Sequence, residues 1–211
     1  MCSNQRGTDM RPSTRLKQQK IVEAATQLFL EQGFAHTNLD QVIERCGGSK
    51  QTIYSYFGDK RGLLFAVVGH CIESVEQIFN FQYDKNSDLE QQLLRFGLNF
   101  LNTTLSPKLV HVYRIIIAES VNDKELAEFF LAQGPHRVSN YLIEYLKANM
   151  DQGKLLPSDP QTACDHLLSL LQGRIYKEAL LGMKIPSKAV IKQHVELSVR
   201  CFLTGYQTPS A

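Results

Sequence analysis

The sequence predicts an all-α protein with about nine helices, in which a small three-helix domain precedes a larger helical bundle. Apolar residues recur at the spacing of buried helix faces through most of the chain, and no segment sustains the alternation of a β-strand. Near the N-terminus, Gly47 and Gly48 separate two short helical patterns. The chain has 211 residues, of which 43% are hydrophobic, and this suits a small domain followed by a larger one. We therefore predict domains at residues 1–60 and 61–211.

Helix one is predicted from about Ser13 to Gln32, and Gly33 ends it in the usual C-terminal manner. The residue that caps the following helix is Thr37 or Asn38, since both side chains can accept a hydrogen bond from the first helical turn. The apolar positions of helix one share one face and form a predicted core stripe: Ile21, Ala24, Ala25, Leu28 and Phe29.

The next segment reads as two short helices joined by a tight turn. The first is Leu39–Cys46, whose apolar residues follow the spacing of a buried face. Gly47 and Gly48 then supply backbone freedom, and Ser49 caps a second helix, Lys50–Phe57. This arrangement is a helix-turn-helix.

The second of these helices has two chemically different sides. Ile53 and Phe57 can anchor it to a core, while its polar residues face outward. In helix-turn-helix proteins, the start of this helix enters the major groove of DNA, and neighbouring hydroxyl and basic groups hold phosphates. The same spacing is also typical of a surface helical hairpin whose polar face is only solvated, and spacing alone leaves both interpretations open.

The run TIYSYFGDKRGLL, from Thr52 to Leu64, resembles the end of the DNA-binding domain in the TetR/AcrR family of bacterial transcriptional regulators. Two positions depart from the family pattern: Gly48, where an apolar residue such as Val is usual, and Gly62, where a helix former is usual. The resemblance covers about residues 17–64 and implies a homeodomain-like domain. The DNA contacts that we expect come from Thr37, Ser49, Lys50, Gln51, Thr52, Tyr54, Ser55, Tyr56 and Lys60.

Within that set, we expect different residues to contact bases and phosphates. The residues near base edges are Lys50, Gln51 and Thr52, and those near phosphates are Tyr54, Tyr56 and Lys60. Net charge is only +2, so the basic bias is local. It lies in an N-terminal arm that could follow the phosphate backbone, through Arg6, Arg11, Arg15, Lys17 and Lys20.

The remainder of the chain is predicted to be helical. Asp59 is the expected N-cap of a long helix four that runs to about Phe81 and is apolar on more than one side. In helix seven, Gly134 and Pro135 must kink or split the helix, because Pro135 has no N–H to donate. Helices five to nine are expected at Ser87 or Asp88 to Thr104, Pro107 to Val121, Lys124 to Met150, Pro160 to Leu181 and Ser187 to Tyr206.

The second half resembles the AefR-type C-terminal domain found in part of the TetR/AcrR family. Four motifs carry this resemblance: IIIAES, FFLAQGPHRV, GKLLPSDP and LLQGRIYKEALLGM. It implies a ligand-binding bundle that dimerises through its last two helices, which hold more apolar surface than one bundle face requires. The residues that we predict near the two-fold axis are Leu167, Leu171, Ile175, Ile191, Ser198 and Phe202; alternatively, they close the core of the single subunit.

A pocket for a small hydrophobic ligand is predicted between the helices of this bundle, because the break at Gly134 and Pro135 leaves room there. The predicted lining is Phe96, Phe100, Tyr113, Ile117, Phe129 and Tyr141. Each of these residues could instead be ordinary core. Polar groups that could orient a ligand are His70, Asn99, Arg114 and His136.

Other functional classes find little support in the sequence. The five cysteines are scattered, the six histidines stand singly, and no catalytic or phosphate-loop motif occurs, so we expect no metal, no cofactor and no enzyme. No secretory signal and no run of about 18 apolar residues is present, so a cytoplasmic protein without membrane association is expected.

These observations favour a ligand-responsive regulator. We expect a homodimeric repressor that binds a palindromic operator in double-stranded DNA and is released by a small hydrophobic effector. The alternatives are a DNA-binding regulator without an effector and, less favoured, a helical-bundle enzyme.

Overall fold

The computed structural model describes residues 12–73 and 88–208. Within those ranges the chain forms ten α-helices. It divides into two compact units between His70 and Cys71, and the boundary that we predicted after residue 60 stays a prediction. The helices are α1 Pro12–Gln32, α2 Leu39–Cys46, α3 Lys50–Phe57, α4 Lys60–Ile72, α5 Leu89–Thr104, α6 Pro107–Glu119, α7 Lys124–Gln133, α8 Pro135–Asp151, α9 Pro160–Leu180 and α10 Lys188–Tyr206.

In the first unit, α1 supplies the core against which α2 packs. The predicted stripe of Ile21, Ala24, Ala25, Leu28 and Phe29 is buried, as expected. The Arg45 guanidinium on α2 donates two hydrogen bonds of 3.0 Å to the Glu31 carboxylate on α1. This pair lowers the pKa of Glu31 and fixes the two helices against each other through a surface contact.

Local side chains define the start of α2. Asn38, one of the two predicted caps, accepts a hydrogen bond from the Gln41 N–H at 2.9 Å. The Gln41 side chain accepts one from the Asn38 N–H at 2.8 Å, which completes a capping box. These reciprocal bonds explain why α2 begins at the predicted residue.

Gly62 is required by the junction between α3 and α4. Asp59 accepts a hydrogen bond from the Gly62 N–H at 2.7 Å and thus starts α4 as predicted. A Cβ atom at position 62 would lie 1.8 Å from the carbonyl oxygen of Phe57, closer than any real contact. The departure from the family pattern at this position therefore has a steric reason.

The second unit is organised around α5, α9 and α10, and α8 also packs on α9. Gly97 of α5 lies where the three helices meet. A Cβ atom there would lie 2.8 Å from Cγ1 of Val195 and 2.9 Å from Cδ2 of Leu171. The missing side chain allows α9 and α10 to approach α5 closely.

Helix seven of the prediction is two helices. The chain breaks at Gly134, which ends α7, and Pro135 occupies the first turn of α8. The predicted second half of helix four and the arm residues Arg6 and Arg11 lie outside the described residues. None of the described helices is long and apolar enough to cross a membrane.

Candidate DNA-binding surface and ligand cavity

Helix α3 is held by one buried side chain and by caps at both ends. Ile53 is buried, the Ser49 hydroxyl accepts a hydrogen bond from the Thr52 N–H at 3.3 Å, and the Gly58 N–H donates to the Tyr54 carbonyl at 2.9 Å. The opposite side is polar and open to solvent, with Tyr54 51% exposed. Also exposed are Ser49, Lys50, Gln51 and Ser55, whereas Thr52 and Tyr56 are half-buried.

Two lysines lie close to the start of α3. The Lys50 ammonium forms an ion pair of 2.8 Å with Asp40 on α2, which raises the pKa of Lys50. The pair is exposed, so a DNA phosphate could replace the carboxylate at small cost. Lys17, which we assigned to the basic arm, extends from α1 to the turn, where its Cε would lie 3.8 Å from a Cβ at Gly48.

Two of the predicted DNA contacts are engaged within the protein. Thr37 is 2% exposed, and its hydroxyl donates to the Gly33 carbonyl at 2.8 Å, so it is not on the outward face. The Lys60 ammonium donates to the Ala35 carbonyl at 3.3 Å and lies 4.4 Å from the centroid of the Phe34 ring. Thr37 was predicted among the DNA contacts, but its side chain is buried; the phosphate contact predicted for Lys60 stays a prediction, although its ammonium has partners within the protein.

A cavity of about 80 Å³ lies within the second unit, beside the break between α7 and α8. Its lining is mostly apolar and includes four aromatic rings, and none of the described lining residues is charged. A drug-sized ligand occupies a pocket of roughly 300–1,000 Å³, so the cavity must widen to take one. The lining residues are Ile72, Phe100, Thr104, Leu109, Tyr113, Phe130, Gly134, Pro135, Val138, Ser139, Leu168, Gln172 and Tyr176.

The aromatic rings contact one another edge to face. The Tyr113 ring centroid lies 4.7 Å from that of Phe130 and 5.8 Å from that of Tyr176, with interplanar angles of 85° and 89°. Burial raises the pKa of Tyr113 and, more strongly, that of Tyr176, so both phenols stay protonated at neutral pH.

The Tyr176 hydroxyl is the unusual polar group of this cavity. The residue is only 6% exposed, and its hydroxyl makes no hydrogen bond of normal geometry with any described residue. The Tyr113 hydroxyl is close enough for a weak hydrogen bond that contributes to the raised pKa of Tyr176. An unpaired buried hydroxyl costs about 1–3 kcal/mol. A ligand atom that accepts from this hydroxyl would remove that cost.

Of the six predicted ligand residues, Phe100 and Tyr113 line the cavity. Phe96 is buried and stacks on Phe100 with centroids 5.9 Å apart, so it supports the wall from behind. Ile117 is 53% exposed, because it lies on the solvent side of α6, and this corrects its predicted inward position. Phe129 and Tyr141 do not line the cavity. Phe130, the residue after Phe129, does line it, and Tyr141 lines a separate surface depression.

The six residues predicted near a two-fold axis face the interior of their own subunit. All of them are buried, because the most apolar positions of α9 and α10 close the core of the single chain: Leu167, Leu171, Ile175, Ile191, Ser198 and Phe202. Their burial supports the alternative interpretation, in which they close the core of the single subunit. A different face of α10 carries the exposed apolar side chains Val190 and Leu197, followed by exposed Cys201.

Helix α9 contains a break at Gly173, where φ is +47° and ψ is −148°. Two α10 side chains bond to the turn before it. The Ser198 hydroxyl donates to the Leu170 carbonyl at 3.0 Å, and Nε2–H of His194 donates to the Leu171 carbonyl at 2.8 Å. The break lies between Gln172 and Tyr176, which both line the cavity.

The described ranges contain no cluster suited to a metal ion, and the thiol of Cys164 is kept protonated. No group of three or more His, Cys, Asp or Glu side chains in residues 12–73 and 88–208 could hold a metal ion. Burial, together with the neighbouring Asp165 carboxylate, raises the pKa of the Cys164 thiol to about 11, which keeps this thiol protonated and unreactive at neutral pH.

Both parts of the chain match known protein families. Residues 21–67 match the family model described as bacterial regulatory proteins, tetR family. Residues 91–208 match the model described as AefR-like transcriptional repressor, C-terminal domain. The two matches cover the helix-turn-helix and nearly all of the second unit.

Individual relatives agree with these matches. The HTH-type transcriptional regulator YvkB of Bacillus subtilis is 25% identical over 201 residues, 93% of this chain and 98% of its own. A TetR-family regulator from Mesorhizobium loti superposes with a TM-score of 0.85 at 24% identity, covering 94% of this chain and all of its own. The flavonoid-responsive regulator FrrA superposes with a TM-score of 0.74 at 29% identity, covering 93% and 100%.

Proposed function

This chain belongs to the TetR family of bacterial DNA-binding transcriptional regulators, with an AefR-like C-terminal domain, and we propose that it is a homodimeric cytoplasmic repressor. In this proposal it binds a palindromic operator in double-stranded DNA and leaves the operator when a small hydrophobic effector binds. The outward polar face of α3 is the observation that carries the DNA-binding part of the proposal.

The start of α3 supports major-groove contact. Lys50 and Gln51 are exposed in its first turn, and Thr52 is half-buried beside them, so short and flexible polar groups can reach base edges. Tyr54 and Ser55 are exposed farther along the helix and are suited to phosphates. We propose Tyr54 and Lys17 as principal phosphate contacts, since Thr37 and Lys60 bond within the protein.

Dimerisation is proposed through the outward face of α9 and α10. Val190, His194, Leu197 and Cys201 follow helical spacing along α10, and Leu197 is 55% exposed in the single chain. One helix-turn-helix reads only a few base pairs, so two copies are needed for a specific operator. This face replaces the six buried residues that we predicted from sequence.

The cavity in the second unit supports a small-molecule effector. Its described lining is mostly apolar, it lies between bundle helices, and the buried Tyr176 hydroxyl there makes no hydrogen bond of normal geometry with the described residues. The relative FrrA is described as flavonoid-responsive, which supports a similar kind of response in this chain.

A link between the cavity and the DNA-binding helix is proposed through α4. Ile72, the last residue of α4, lines the cavity, while α4 begins at Lys60, shortly after α3 ends at Phe57. A ligand that widens the cavity would then favour a different position of α4. The resulting loss of DNA affinity cannot exceed the difference between the ligand's affinities for the two states.

The test is a DNA-binding titration with selected operator sequences, with and without a library of small apolar compounds. Gln51→Ala is expected to relax preference at particular base pairs, whereas Tyr54→Phe is expected to weaken binding to all sequences alike. Equal effects of both changes on every sequence would remove the assignment of α3 as the reading helix.

A regulator without an effector is the second candidate. The observation in its favour is the volume of about 80 Å³, which is small for a ligand site. It predicts that no compound in the library raises the melting temperature or releases DNA.

A further inference from the structure

We propose that the effector is an uncharged, planar aromatic molecule with a hydrogen-bond acceptor that receives the Tyr176 hydroxyl. This inference rests on the proposed function, because it names the class of ligand that the same cavity would take. Three properties of the cavity carry it: the absence of charge among its described lining residues, the geometry of its rings, and the Tyr176 hydroxyl, which has no hydrogen bond of normal geometry with the described residues.

The charge of the lining argues for a neutral ligand. The described lining consists of aliphatic and aromatic side chains with only hydroxyl and amide groups as polar members: Thr104, Tyr113, Ser139, Gln172 and Tyr176. A ligand carboxylate or ammonium group would be transferred from water into the cavity and would find no opposite charge among the described lining residues. Burial of an unpaired charge is strongly unfavourable.

The arrangement of the rings argues against a quaternary ammonium ligand. Recognition of such a cation requires several aromatic faces directed at one empty point. Here Tyr113 is already in edge-to-face contact with Phe130 and Tyr176, at 4.7 and 5.8 Å between centroids. Flat aromatic ligands suit this wall better, since they can add further edge-to-face or offset contacts to the same rings.

The unpaired hydroxyl specifies the polar group of the ligand. Tyr176 stays protonated because burial and the nearby Tyr113 phenol raise its pKa. Its hydroxyl makes no hydrogen bond of normal geometry with the described residues, and the Tyr113 hydroxyl is placed only for a weak one, so a better acceptor can still be supplied. Gln172 lies on the other side of the break at Gly173 and also lines the cavity. A carbonyl or ether oxygen on the ligand would accept from Tyr176, with the Gln172 amide as a second group that orients it.

The binding test uses four probes of similar size and equilibrium dialysis with the full chain. Chromone is flat, neutral and has a carbonyl acceptor, whereas naphthalene is flat and neutral without one. The anion 2-naphthoate and the cation benzyltrimethylammonium test charge. Chromone is expected to bind about tenfold more tightly than either ion.

Tyr176→Phe isolates the hydrogen bond. It is expected to weaken chromone about three- to tenfold, the range of a neutral hydrogen bond, and to change naphthalene affinity less than about twofold. Tyr141→Phe is the matched control, because Tyr141 lies outside the cavity lining, and it should alter neither probe.

Three outcomes would overturn the proposal: an equal effect of Tyr176→Phe on chromone and naphthalene, binding of an ion as tight as that of chromone, or no chromone binding up to its solubility. A DNA titration separates this failure from failure of the proposed function. Release of DNA by benzyltrimethylammonium but not by chromone would refute only the ligand class. Tyr176-dependent chromone binding without any effect on DNA would refute only the regulatory role.

Discussion

The junctions around α3 and the break within α9 both depend on glycine, but they satisfy their backbone groups over very different distances along the chain. At α3, the Ser49 hydroxyl accepts from the Thr52 N–H, and the Gly58 N–H donates to the Tyr54 carbonyl. At the α9 break, the carbonyls of Leu170 and Leu171 accept from side chains of α10 that lie 28 and 23 residues away.

This difference bears on which element would respond to the proposed ligand. The α3 junctions are completed by residues within a few positions, so they form wherever the segment is helical. The α9 break keeps its hydrogen bonds only while α10 stays packed against it. Gln172 and Tyr176 lie on either side of Gly173 and both line the cavity. If the proposed ligand binds there, it would act on the α9 break rather than on the junctions around α3.

Gly62→Ala tests the junction between α3 and α4 and should have the largest effect on stability. The obstacle at 1.8 Å is a backbone oxygen, so the ends of α3 and α4 must move apart, and we expect a loss of about 3 kcal/mol in the free energy of unfolding. Urea denaturation measures this. Gly205→Ala, where nothing lies within 4 Å, is the control and should be neutral or raise stability by about 0.5–1 kcal/mol. Similar values for both variants would contradict the steric argument.

Gly173→Ala tests the break within α9. The left-handed φ of +47° strains any other residue, and the new methyl would lie 3.2 Å from Cε1 of His194, so a loss of about 2 kcal/mol is expected. His194→Ala should relieve part of that crowding, which makes the double variant less destabilised than the sum of the two single ones. Strict additivity in urea denaturation would show that the ring and the glycine are not coupled.

The same contrast explains what could be predicted from sequence. The bounds of α2 and α3 were predicted to the residue, because Gly47, Gly48 and Ser49 act on their immediate neighbours. The break at Gly173 was missed, since LLQGRIYKEALL reads as one continuous helix and the groups that stabilise the break are on α10.

Residues whose role depends on a second surface were the hardest to assign. We predicted Leu171, Ile175 and Phe202 at the dimer contact because they are apolar. In the single subunit these apolar positions are buried in its own core. Helical spacing placed Ile117 inward on α6, although it is exposed. The buried hydroxyl of Tyr176 could not have been predicted, because its surroundings depend on the arrangement of the six described helices that line the cavity.

Ser198→Ala compared with Ser49→Ala measures the remote and local hydrogen bonds directly. Ser198 is buried, so its loss leaves the Leu170 carbonyl without this partner and should cost about 2 kcal/mol. Ser49 is exposed, so water can replace its cap and the cost should be about 1 kcal/mol. Both values come from urea denaturation. If Ser49→Ala lowered the free energy of unfolding more than Ser198→Ala, the local hydrogen bond would contribute more than the remote one, contrary to our expectation.

Tyr176→Phe should have the smallest effect on stability and an unusual sign. The hydroxyl is buried without a hydrogen bond of normal geometry, so its removal eliminates a desolvated polar group and leaves the ring contact with Tyr113 in place. We expect the unligated protein to be unchanged or more stable by up to about 1 kcal/mol. Phe130→Leu, which removes a ring from the same wall, should instead lower stability by about 1–2 kcal/mol. If Tyr176→Phe destabilises the unligated protein as much as Phe130→Leu does, the Tyr176 hydroxyl has a strong hydrogen-bond partner within the protein. It would then not be available to donate to a ligand.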